Sequence, residues 1–214
     1  KNKTKSNKGN KRAISAFRRQ FRNPQPTKFK ARLRYADTIA LNPTAGDTGN
    51  AIARFSCNNL VAPDTDGAFD SHQPLFWNTY ETLYKSYRVH QADIKVSFVN
   101  ESGQLIESDD NQLRQSTYVC GIMLSEGATE YPTNLRTKLE LSYDKYDNYK
   151  IVPPSRNSPT IVSMTYTPKK LFGIKDLADD ESLTSAITTA PTKQGFFIIY
   201  INGIDATVDP VYIN

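Results

Sequence analysis

The chain has 214 residues, 38% of them hydrophobic and 11% aromatic, with a formal net charge of +5. That length is enough to bury a substantial core, while no apolar run reaches 18 residues, which excludes a transmembrane helix. Two cysteines are too few for a disulfide framework or a zinc cluster.

In chain order, the charge is the first signal. Residues 1–36 hold 13 Lys/Arg and no Asp/Glu, and the rest hold 14 Lys/Arg against all 22 Asp/Glu. A cation attached to a body of balance −8 predicts a polyanionic partner at one end only. "KNKTKSNKGNK" (1–11) has nothing apolar to offset its ordering entropy and is expected to be disordered when unbound. No apolar segment of the kind a secretory leader carries follows it. "RAISAFRRQFR" (12–22) spaces Ile14, Phe17 and Phe21 as a short helix would, to form against nucleic acid or an inner protein surface. A membrane-surface helix is the rival reading, with a small anchor. "NPQP" (23–26) ends any helix.

From Lys28 the pattern changes to a strand's. In "KFKARLRYADTIAL" (28–41), Phe29, Ala31, Leu33 and Tyr35 alternate with Lys28, Lys30, Arg32 and Arg34. Successive strand side chains point to opposite faces. The expectation is an apolar row on the core and a fixed basic row opposite, with a plain solvated face as the alternative.

Further strands are expected from "AIARFSCNNL", from "YRVHQADIKVSFVN" with an irregularity near Gln91 that fits a bulge, and from "STYVCGIML", "SPTIVSMTYTP" and "GFFIIYING". "STYVCGIML" and "GFFIIYING" read as strands buried on both faces. Cys57 and Cys120 therefore read as buried free thiols rather than a bridge, which fits a reducing compartment. "QPLFWNTYETLYKSY" (73–87) reads as a helix begun by Pro74, with an apolar stripe through Leu75, Phe76, Thr79, Tyr80, Leu83 and Tyr87. "TNLRTKLELSY" is a second helix candidate and "KDLADDESL" an acidic loop. Six or seven strands joined by long polar connections favour an all-β sandwich with crossing loops.

Catalytic chemistry is not visible. There is no G-x-S-x-G, HExxH, phosphate-binding glycine loop or CxxC. His72 and His90 read as structural, and no enzyme activity or cofactor is expected. "DTDGAFD" places Asp64, Asp66 and Asp70 in a calcium-like run, but its glycine is misplaced and the distal Glu is missing. A solvated turn is preferred to a loose calcium site completed by a neighbouring subunit.

The positive signal is the row of cations Lys1, Lys3, Lys5, Lys8, Lys11, Arg12, Arg18, Arg19, Arg22, Lys28, Lys30, Arg32 and Arg34. Such residues bind phosphate backbones through counterion release. Phe17, Phe21, Phe29 and Tyr35 offer faces for unpaired bases. Thirteen contacts to a single strand would set a salt slope of roughly −9 as an upper limit. The same residues suit nuclear import.

Three phrases carry a family resemblance: "LRYADTIALNPTAG"; "HQPLFWNTYETLYKSYRV" followed by "ADIKVSFVN"; and "TPKKLFGIKDLADDESL" followed by "APTKQGFFIIYING". Together they resemble the capsid proteins of circular Rep-encoding single-stranded DNA viruses, the circovirus-like group, over about residues 30–205. The resemblance implies a single jelly roll of two four-stranded antiparallel sheets (28–214) behind a basic arm (1–27). It also implies an icosahedral shell of 60 copies around single-stranded DNA, host import machinery as a partner, no membrane insertion, and residence in the virion and the host nucleus. Where the family carries a further long strand after "FFIIYINGID", this chain has "VDPVYIN". The neighbour of the first strand is expected from "PVYIN" or from another subunit. The capsid of a small positive-strand RNA virus shares the fold and arm logic, and a monomeric nucleic-acid-binding β-domain is the third reading.

Overall fold

A computed structural model describes residues 26–42, 50–66, 72–100, 117–128, 140, 147–153, 159–176, 180–203 and 211–213. The second helix candidate, apart from Glu140, and the arm before residue 26 lie outside the described residues. The compact body begins at Leu33.

Ten strands are present among the described residues: β1 (Ile39–Leu41), β2 (Asn50–Ser56), β3 (Ser86–Arg88), β4 (Ala92–Asn100), β5 (Tyr118–Ser125), β6 (Asp147–Val152), β7 (Thr160–Tyr166), β8 (Thr184–Ala186), β9 (Phe196–Gly203) and β10 (Val211–Ile213). Eight form two four-stranded sheets, in the orders β1-β10-β4-β7 and β2-β9-β5-β6, and β3 pairs with β8 in a small ribbon. Every pairing is antiparallel. The chain passes repeatedly from one sheet to the other, which is jelly-roll connectivity. The fold is therefore the all-β jelly-roll sandwich that the sequence predicts.

The core lies between the sheets. Val96 and Phe98 of β4 and Val162, Met164 and Tyr166 of β7 meet Cys120, Ile122 and Leu124 of β5 and Phe197, Ile199 and Ile201 of β9. On β7 alternate residues are buried and exposed, as period 2 demands. β5 and β9 differ: nearly every residue is buried, so the two central strands of the second sheet are covered on both faces. Gly121 fits this crowding, because a Cβ there would sit 2.4 Å from the Tyr200 hydroxyl oxygen. The bare backbone leaves room for that ring, whose hydroxyl donates to the two Asp147 carboxylate oxygens at 3.1 Å. The open place beside the first strand is filled from within the chain. β10 pairs with β1 through Ala40↔Tyr212 and with β4 through Tyr212↔Val99.

Three expectations need correction. "YRVHQADIKVSFVN" is two strands in two different sheets, β3 and β4, so the irregularity at Gln91 is a change of sheet rather than a bulge, and His90 is exposed at the bend. The helix of residues 73–87 shortens to α1 (Trp77–Leu83), which buries Trp77 and leaves much of its apolar stripe exposed. Trp77 packs edge-on against Tyr87 of β3, ring centres 5.1 Å apart. Phe76, before α1, sits at φ 70°, a left-handed conformation that costs a bulky residue about 1–2 kcal/mol. The third correction concerns residues 28–38.

Candidate nucleic-acid interface

Lys28, Lys30, Arg32 and Arg34 are all exposed, but residues 28–38 form no hydrogen-bonded strand. Phe29 and Ala31 are exposed too, so they do not face the core as the alternation predicts. The reason is pairing. Among the described residues, the strand beside β1 pairs with Ile39–Leu41 alone. A period-2 sequence without a partner strand is merely extended chain.

From Leu33 onward the alternation does have structural meaning. Leu33, Tyr35, Asp37 and Ile39 are half-buried, while Arg34, Ala36, Thr38 and Ala40 are exposed. Side chains hold this segment in place of a ladder. The Tyr35 ring stacks on His72, centroids 4.2 Å apart and planes within 8°, and meets Phe55 of β2 edge-on. Asp37 accepts from the Thr38 backbone amide at 2.7 Å and from the Tyr35 hydroxyl at 3.4 Å. His72 Nδ1 lies 3.8 Å from Asp37 Oδ2. The Arg34 carbonyl accepts from the Leu75 amide at 2.9 Å. Thus the segment's first fixed cation is Arg34, with its backbone tied down and its guanidinium exposed. Of the cations predicted to bind nucleic acid, Lys1, Lys3, Lys5, Lys8, Lys11, Arg12, Arg18, Arg19 and Arg22 lie outside the described residues. Tyr35, offered as a stacking face for bases, is already stacked on His72.

The acidic run after β2 is structural. The Arg54 guanidinium donates to both carboxylate oxygens of Asp66 at 3.2 Å, and Asp64 accepts from the Asp66 amide at 3.1 Å. Among the described residues no three His, Cys, Asp or Glu side chains are grouped to hold a metal. Asp70 lies outside them. In the second acidic loop, Asp180 accepts from both the amide and the hydroxyl of Ser182, and the hydroxyl bond holds its carboxyl below the usual range.

Cys57 and Cys120 are free and buried. Burial pushes the Cys120 thiol up to about 12 and the Cys57 thiol well above its ordinary value. Neither is a nucleophile at neutral pH.

A feature missed in sequence is α2 (Pro168–Phe172), inside "TPKKLFG". Thr167 caps it by accepting from the Lys170 amide, Pro168 opens it, and Gly173 closes it at φ 72°. Thr-Pro followed by Gly five residues later is a readable helix signature.

No protein-family model matches the sequence, and no curated protein matches it. Among solved structures, Desmodium yellow mottle tymovirus is similar with a TM-score of 0.36 at 11% identity, over 89% of this chain and 91% of that one. The empty head of turnip yellow mosaic virus gives a TM-score of 0.33 at 9% identity, over 90% of this chain and 83% of that one. The strand order described above, rather than these likenesses, establishes the jelly roll.

Proposed function

We propose that this chain is a structural capsid protein: residues 28–214 build an icosahedral shell, and residues 1–27, with Lys28, Lys30, Arg32 and Arg34, gather single-stranded DNA. One observation carries the reading. A jelly roll receives, at its first strand, a segment with 13 cations and no acid before Asp37, while the rest of the chain is net acidic. Phosphate attraction is thereby confined to one end of the subunit. An acidic remainder keeps the other surfaces from competing for the same polyanion. The sequence resemblance to circovirus-like capsids supports DNA over RNA and a shell of 60 copies, with nuclear import through the arm.

The test is direct. Purified protein, examined by electron microscopy, forms uniform round particles, and their nucleic acid is degraded by DNase but not by RNase. Protected RNA alone would replace DNA by RNA in this reading. A single monomer peak with and without nucleic acid would leave only the monomeric nucleic-acid-binding domain.

A further inference from the structure

We propose that the apolar patch at α1 docks, head to tail, onto the apolar edge at β6 of a second copy of this chain. The proposal rests on the reading of this chain as a shell subunit and names the surfaces that would join its copies.

The first surface is Leu75, Phe76 and Leu83, which are 61%, 64% and 50% exposed. Leu75 and Phe76 stand side by side just before the first turn of α1, and Leu83 is its last residue. Trp77, on another face, is the buried anchor that fixes α1 to the body. The Phe76 backbone is held in the left-handed region. A bulky residue in that conformation is unusual enough to call for a reason, and here it presents a phenyl ring to solvent beside another exposed apolar side chain.

The second surface is Tyr149 and Ile151 of β6, 40% and 58% exposed. They oppose Gly121 and Val119 of β5 across the ladder. The apolar outer face of the second sheet therefore runs from buried Ile198 and Val119 outward to the exposed strand edge. An exposed apolar edge strand is a pairing surface unless covered.

Geometry selects the second copy as the occupant. Among the described residues, β2 and β6 are the two opposite edge strands of one sheet. α1 lies toward the β2 side: Tyr87, which packs on Trp77, accepts from the Leu60 amide just past β2, and Gln73 donates to the Val61 carbonyl. Two apolar surfaces at opposite edges do not meet within one chain, but each faces the other's counterpart in a row of copies. Such a heterologous contact repeats from copy to copy, giving a ring where its rotation closes and an open filament where it does not.

Area agrees with this. The α1 surface leaves roughly 300–400 Å² of side chain in solvent and the β6 surface about 200 Å². A standard contact buries about 800 Å² per partner, somewhat over half of it apolar, so the two patches supply more than half of the apolar share. Charge agrees too. Glu81 is the one charged residue within α1, and exposed Lys150 borders the β6 surface.

The test uses the full chain carrying Phe76→Cys and Ile151→Cys, mildly oxidised and run without reductant. The expected result is a ladder of dimers, trimers and longer species from the double variant, with each single variant monomeric. A dimer from Phe76→Cys alone would show the α1 surface meeting itself, and an absent ladder would show that the two surfaces do not meet. Either result overturns the proposal. Micrographs of the unsubstituted chain separate the two ideas. Particles without a ladder sink the docking and leave the capsid reading standing, whereas a ladder without particles does the reverse. A second variant guards against misfolding. Phe76→Gly suits the left-handed backbone, so the unfolding midpoint should hold or rise while self-association weakens roughly 30-fold, the loss of a hot-spot side chain. Unchanged self-association would count against α1 as the docking surface.

Discussion

The two sheets of the sandwich have equal strand numbers and unequal construction. In β2-β9-β5-β6 the central strands are eight residues each and buried on both faces. In β1-β10-β4-β7 the sheet buries one face, with Asp93 and Lys95 exposed on the other, and its arm-bearing edge rests on three-residue pairings. Free energy of burial scales with apolar area removed from water, so the second sheet holds the fold. The first sheet, with its shorter pairings at β1 and β10, is expected to open locally at lower cost than the second.

That division of labour can be broken at several points. The largest effect concerns nucleic acid. Deleting residues 1–27 removes 9 of the 13 cations, and the salt slope of binding should shrink by roughly 6. The deletion should abolish packaging, read from the ratio of ultraviolet absorbances, while the thermal midpoint stays put. Failure of empty shells to form would show that the arm drives assembly as well.

Stability comes next. Ile199→Ala, in the middle of β9, should cost about 3–4 kcal/mol in urea unfolding. Gly121→Ala should cost about 2 kcal/mol, because the new Cβ collides with a ring rather than with the free end of a flexible chain. Ile39→Ala, half-buried on β1, should cost no more than about 1 kcal/mol. Equal losses at Ile39 and Ile199 would refute the contrast between the sheets. The smallest effect is alkaline. The Cys120 thiol is raised to about 12 in the folded state, so its contribution is complete below the ordinary thiol pKa and is lost as pH rises towards 12. Cys120→Ala should flatten the fall in thermal midpoint between neutral and strongly alkaline pH.

Legibility in the sequence followed the same division. β5, β7 and β9 are plain in "STYVCGIML", "SPTIVSMTYTP" and "GFFIIYING", because burial itself writes their pattern. β6 was missed because two of its three apolar residues, Tyr149 and Ile151, lie exposed at the edge and only Val152 is buried, a placement that composition does not reveal. "KFKARLRY" has a strand's period without a strand's hydrogen bonds. Periodicity reports which side of the chain is apolar, whereas a ladder needs a partner, and the partner in "PVYIN", some 170 residues away, pairs with Ile39–Leu41 and not with "KFKARLRY". The cations were legible as charge from the first line of sequence, but the Tyr35–His72 stack that holds the segment was not, since it joins residues 37 positions apart through a loop.

The place of β10 also sets an order of events. Among the described residues β1 pairs with a segment made after all the other strands, so on a ribosome adding about 5–20 residues per second it waits roughly 10–30 s for that partner. Contacts this distant in sequence are the slow ones in folding. The second sheet can close once β9 has emerged, and β10 then slots between β1 and β4. The β1 edge is thus the last part of the body to lock, and an incompletely made chain would carry an unfinished first sheet.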